Sequence, residues 1–343
     1  MIRVVLVALV LPGYCLGCSG GTIEETLFAG EAQGTTYSIK VAAGGLSKEQ
    51  KHELEAAIRR RFDEIDRAMS LYREDSELAA FNRQQTTEPI RVCREFIEVF
   101  QAARAVSEAS DGALDVTVAP LVSAWGFGPA KRKDPLPPSD VEITELLQRV
   151  GFRGIEIDAS AGTIRKTRSD LECDVNGIAQ GYTVDKLAED LQLLGYSNYL
   201  VEVGGEVRAR GRNARGTCWQ VAIEKPIAEG GEYQKVLSLD SLSLTTAGDY
   251  RNYIEQNGVR LSHSIDPRTG RPISHSLASV SVIHADCAMA DGYDTALMVL
   301  GPEKGYELAV KKGLAALFII HGAEGYEVKA TPAFDSIAGR HLP

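Results

Sequence analysis

Residues 178–211 read IAQGYTVDKLAEDLQLLGYSNYLVEVGGEVRARG. The first half carries a helical pattern from Ile178 to Leu194 that stops at Gly195. A strand over Tyr199–Val203 follows, then a Gly204-Gly205 turn, then a second strand over Val207–Gly211. A helix that feeds a tight hairpin is not the strict strand–helix alternation of a doubly wound sheet. It predicts an α+β fold.

The same mixture extends outward. Upstream, strand Thr35–Val41 precedes a long helical pattern from Ser47 to Ala68, with Leu54, Ala57, Ile58, Phe62 and Ile65 at helical spacing. A second helix over Glu95–Ala109 stops at Asp111-Gly112. Short strands are expected near Ile155–Ile157 and Gly162–Thr167. Downstream come strands at Trp219–Glu224, Lys235–Leu239 and Ser243–Thr246. A strand near Ser279–Ile283 leads into a helix over Cys287–Leu300, then a helix at Glu303–Lys312, a strand at Ala315–Ile320 and a short last helix. Pro129 to Pro138, with the basic run Lys131-Arg132-Lys133, reads as an exposed excursion.

The first 18 residues, MIRVVLVALVLPGYCLGC, form an export address. Arg3 precedes a short apolar run that ends at Gly17-Cys18, and a small residue before a cysteine is what a bacterial lipoprotein signal requires. The expectation is cleavage before Cys18, lipid on its sulfur, a tether over residues 18–33 and one catalytic domain over 34–343. Removing 17 of 343 residues takes Arg3 and no acid, so 326 remain and the net charge moves from −10 to −11. An acidic chain of this kind is not a nucleic-acid binder. Cys93, Cys173, Cys218 and Cys287 show no metal-ligand spacing.

Three segments carry chemistry. In Ala290-Asp291-Gly292-Tyr293-Asp294-Thr295, a helix places Asp291 and Thr295 one turn apart with Asp294 beside them. Carboxylates and a hydroxyl are hard ligands suited to Mg2+; spacing alone leaves helix capping open. In Asp174 to Tyr182, glycines bracket a helix entry whose amides suit a pyrophosphate, with capping by Asn176 as the alternative. In Ser262 to Pro272, His263 is a candidate proton acceptor. Tyr72 could stack on a planar ring.

Taken together with Gln33-Gly34-Thr35-Thr36, Ser70-Leu71-Tyr72, Gly112 to Thr117, Trp125 to Gly128, Val203-Gly204-Gly205 and Gly248 to Tyr253, these segments resemble the FAD:protein FMN transferase family, long named thiamine-biosynthesis lipoproteins. The resemblance runs from about Gln33 to Phe334. It implies a T-fold-related α+β architecture and Mg2+-dependent transfer of FMN from FAD to a Thr or Ser of a partner, with release of AMP. It implies metal ligation by Asp291, Thr295, the Ala179 carbonyl and Asp294. It implies FAD contacts from Gln33, Tyr72, Ala113, Leu114, Asp115, Asn176, Tyr182 and Ile265. Phosphoryl-transfer chemistry then makes Asp291, through the metal, and His263, as the base for the acceptor hydroxyl or as a positioning group, the catalytic candidates. Expected acceptors are exported flavoprotein subunits of membrane redox complexes, met at the cell membrane facing the periplasm or exterior. An FAD pyrophosphatase and a non-catalytic flavin-binding lipoprotein are the competing functions.

Overall fold

A computed structural model describes residues 23–128, 137–227, 231–248, 253–256, 259–323 and 325–339. The export address, Cys18, the basic run at 131–133 and most of the Gly248–Tyr253 segment lie outside the described residues.

The frame is one eight-stranded sheet: β1 (Ile23–Ala32), β2 (Thr35–Gly44), β3 (Tyr199–Val203), β4 (Glu206–Arg210), β5 (Leu242–Gly248), β6 (Leu277–His284), β7 (Ala315–Gly322) and β8 (Gly325–Ala330). They lie side by side in chain order, and every pairing is antiparallel. The α+β expectation holds. Long inserts between neighbouring strands supply the helices. Between β2 and β3 come α1 (Lys48–Met69), α2 (Arg94–Ala109) and α3 (Ala179–Leu193); α4 (Cys287–Lys312) joins β6 to β7.

Strand alternation sorts the core into two sides. Tyr199, Val201 and Val203 of β3 meet Leu54, Ile58 and Phe62 of α1 and Leu187 and Leu191 of α3. The alternate residue Leu200 joins Val207 and Ala209 on the other face, under a hairpin of Trp219–Glu224 and Tyr233–Leu239 and the helix Pro332–Ala338. The sheet is therefore covered on both faces, by helices on one and by the hairpin and last helix on the other.

Several elements depart from expectation, among them the edge strand β8. The stretch read as a tether contains β1. Its burial pattern is mostly exposed, because it is an edge strand rich in Glu, so no apolar alternation marks it. It pairs with β2 through a two-residue turn in which Gln33 (φ 52°) and Gly34 (φ 73°) both have positive φ, the geometry of a type I′ hairpin. Short helices at Glu77–Arg83 and Asp140–Leu147 were also not expected.

Helix α1 starts as anticipated, at Ser47, with a reciprocal capping box to Gln50. Helix α4 is broken at Gly301 (φ 80°, ψ −177°), which precedes Pro302. Pro302 has no N–H to give the carbonyl four residues back, that of Met298. His275 Nε2 takes that place at 2.8 Å, while its Nδ1 accepts from the Leu277 amide. The four cysteines at 93, 173, 218 and 287 are free thiols. No described helix is long and apolar enough to cross a membrane.

Candidate functional site

The site is built where α3 and α4 begin. These helices pack on each other because Gly181 has no side chain: a Cβ there would lie 2.4 Å from the Cys287 carbonyl oxygen and 2.7 Å from the Asp291 Cβ. The bare Gly181 amide donates to Asp291 Oδ2 at 2.8 Å. One turn further along α3, Asp185 accepts from the Cys287 and Ala288 amides at 3.0 and 2.9 Å. It thereby caps α4 from a neighbouring helix, since Asp286 makes no side-chain cap of its own. Arg208 of β4 pairs with Asp185.

The entry to α3 comes equally close. At Gly177 a Cβ would stand 3.0 Å from Thr295 Cγ2 and 3.1 Å from its hydroxyl. The cap position of α3, Ile178, makes no side-chain hydrogen bond. Asn176 does not cap it either; its amide instead donates to Asp174 Oδ1 at 2.8 Å. Of the first amides of α3, that of Ala179 donates to the Val175 carbonyl at 2.9 Å and that of Gly181 to Asp291, so the entry itself is held in place.

These elements open on a cavity of about 950 Å3. Asp291, Asp294 and Thr295 line it, as do Asn176, Gly177, His263, Ile265, Tyr72 and the run Ala113, Leu114 and Asp115. Segments read separately in the sequence, from residue 72 to residue 295, thus converge on one hollow. Tyr72 is 73% exposed at its rim. The His263 ring meets Phe127 edge-on, with centroids 6.5 Å apart.

Three expected contacts fall elsewhere. Gln33, in the β1–β2 turn, accepts from the Thr183 hydroxyl at 3.1 Å and is not part of the lining. Tyr182 points its hydroxyl at Glu98, 2.7 Å away, on the far side of α3. The helical spacing explains this: Gly181 faces Asp291, so Tyr182, a further 100° around, faces away. Ala179 does not line the cavity, and its carbonyl accepts from Thr183 Oγ1 at 2.9 Å. Asp115 lines the cavity, but its carboxylate is taken up by the Thr117 amide and hydroxyl and by the Phe152 amide, the work of a cap.

Two further lining residues, Gln180 and Glu206, carry polar side chains that local sequence pattern does not assign to the site. Gln180 reaches the Gly204 turn, where a Cβ would meet its Nε2 at 2.6 Å. Glu206 follows that turn on β4, is 6% exposed, and its Oε2 has no hydrogen-bond partner. In the sequence it looks like an ordinary polar position of an alternating strand.

The electrostatics are one-sided. Burial pushes the Asp291 carboxyl up, against the pull of the Gly181 amide, and the Asp185 charge adds to the rise. Burial, then the Asp291 charge, does the same to Asp294 and to Glu206. Buried carboxylates beside one another are costly unless a cation joins them. A divalent cation fits this donor set of carboxylates and a hydroxyl. Among the described residues no group of three or more His, Cys, Asp or Glu side chains is placed to hold a metal ion by itself. An incomplete set suits Mg2+, which keeps several waters and accepts substrate phosphates.

Known proteins resemble this chain over nearly all of its length. The ApbE family profile matches residues 33–318. The FAD:protein FMN transferase of Vibrio cholerae is 40% identical over 313 residues, 91% of this chain and 92% of that protein. That of Escherichia coli is 36% identical over 315 residues, 91% and 89% of the two chains. Among solved structures, the apo Pseudomonas stutzeri flavinyl transferase ApbE superposes with a TM-score of 0.84 at 38% identity, covering 93% of this chain and 98% of the other. The Vibrio cholerae flavin transferase ApbE gives 0.83 at 37%, covering 92% and 99%. The chain belongs to the ApbE family.

Proposed function

We propose that the chain transfers the FMN half of FAD to a Thr or Ser hydroxyl of a partner protein. The hydroxyl oxygen forms a bond to the FMN phosphorus, the bond from that phosphorus to the bridging oxygen breaks, and AMP departs. The observation that carries this reading is the meeting of Asp291, Asp294 and Thr295 with Asn176, Gly177 and Gln180, at the entry of α3, in one cavity.

Asp291, Asp294 and Thr295 are the residues that would hold Mg2+. The bound ion would offset charge developing on the pyrophosphate oxygens. Gly177, whose lack of a side chain permits close approach, and Gln180 line the place where the phosphates would lie. Tyr72 offers a flat ring at the rim for the flavin. His263 takes the proton of the acceptor hydroxyl, and its edge contact with Phe127 orients the ring. Alignment of hydroxyl, phosphorus and leaving oxygen supplies much of the remaining acceleration.

Residues 1–17 are proposed to direct export, with Cys18 lipid-modified and the enzyme held at the outer face of the cell membrane. The partners are then exported flavoprotein subunits of membrane redox complexes. The test is to incubate protein, Mg2+ and FAD with an exported flavoprotein subunit bearing an acceptor Thr. Fluorescent flavin on that subunit after a denaturing gel is expected. Free FMN with an unlabelled acceptor would assign hydrolysis instead. Replacing Cys18 with Ala should move the protein from the membrane to the soluble fraction.

A further inference from the structure

On the helix-facing side of β4, Glu206, Arg208 and Arg210 occupy alternate positions. Arg208 pairs with Asp185 of α3, and Arg210 reaches Gln192 of the same helix. Glu206, the first of the row, ends against the cavity instead, with Oε2 buried and unpartnered. The turn before it holds it there. Gly204 (φ 67°) and Gly205 (φ 116°) both adopt positive φ, and the Gly205 amide is tied to Glu202 Oε1 at 3.0 Å.

An anionic oxygen in this place has few partners open to it. A pyrophosphate would be repelled. The charges that act on Glu206 are those of the carboxylates Asp291 and Glu202, which only add to the repulsion. A proton removes the cost when no cation is bound, and positive charge arriving from outside the chain removes it while leaving the carboxylate ionised.

We propose that Glu206 is a further cation-site residue: its buried, unpartnered Oε2 faces the divalent cation proposed at Asp291, Asp294 and Thr295 and accepts from the waters that ion retains. The inference rests on the metal role given above to those three residues. It explains how a site short of a full cage of side chains still gathers enough negative charge for Mg2+. It also explains why a carboxylate is left without a partner beside two others.

The experiment uses the full chain without FAD and measures Mn2+ binding by electron paramagnetic resonance and Mg2+ binding by calorimetry. Glu206→Gln keeps the shape and removes the charge. Its affinity for either ion should fall about 10- to 100-fold, the usual effect of losing a partner of a metal's bound groups. In EDTA the same variant should melt at or above the wild-type temperature, while the rise in melting temperature on adding Mg2+ shrinks. Glu206→Asp should recover part of the affinity. Unchanged metal affinity in Glu206→Gln would overturn the inference. So would weaker FAD binding in EDTA with metal affinity intact, which would assign Glu206 to the flavin. A wild-type chain that binds neither ion would remove the metal role itself, and this inference with it.

Discussion

The Gly181 amide holds Asp291 Oδ2 at 2.8 Å, so one oxygen of the central carboxylate is spent on aligning α3 with α4 and the other is left for chemistry. Ala at position 181 would put a methyl group 2.4 Å from the Cys287 carbonyl. Gly181→Ala should destabilise the fold by about 1–3 kcal/mol through overpacking. It should also raise the Mg2+ concentration needed for half-maximal transfer, because the helices must part. Denaturant unfolding and a Mg2+ titration of flavin transfer check the two effects separately.

Asp185 serves three groups at once: two amides of α4 and the Arg208 guanidinium. Removing it strands a largely buried cation and two helix-end donors. Asp185→Ala should cost about 3–5 kcal/mol of stability. Asp185→Asn, which keeps an acceptor oxygen, should cost less. Chemical unfolding of both variants at neutral pH measures the difference.

Glu202 gives the metal-free protein a pH signature. Burial pushes its carboxyl up from 4.5 to about 7. The folded state therefore holds this proton more tightly than the unfolded chain. The stability it contributes is full below about 4.5 and is lost as pH rises through about 7. Glu202→Gln stays neutral throughout. In EDTA its stability relative to wild type should grow between those two pH values and then level off. A difference that stays flat over the window would contradict the buried carboxyl's assignment.

His263→Gln should slow transfer by roughly 10²- to 10⁴-fold, the range for loss of a general base. FAD binding should change little. Single-turnover flavinylation across pH should also lose the limb that reports His263. An unaltered pH profile would leave the ring with positioning alone.

Much of this was legible from local pattern. The Ser47 start of α1, the Gly195 stop of α3 and the Gly204-Gly205 turn all follow from short-range rules, and each stands where it was read. The Asp291, Asp294 and Thr295 set could be placed on one helix face for the same reason. What escaped depends on contacts distant in sequence. Edge strand β1 carries no apolar alternation because little of it is buried. Tyr182 and Glu206 have side chains of types that suit a site and strand or helix positions that look ordinary. Helical spacing turns Tyr182 to Glu98, and the Gly204-Gly205 turn brings Glu206 to the cavity, but which side carries the site is set only when α3, α4 and β4 pack together. Asp115 shows the reverse: a residue at the site whose oxygens are consumed by its own turn.

The Gly181–Asp291 bond closes a loop of 110 residues, and the Asp185–Ala288 bond one of 103. Contacts this remote in sequence carry a large loop-closure cost. Between the two partners lie β3, β4, β5 and β6, so each bond ties together segments that flank half of the sheet's strands. A nascent or half-folded chain would consequently have no assembled place for a metal ion. Competence to handle flavin therefore depends on a long-range contact, and metal uptake reports whether that contact has formed.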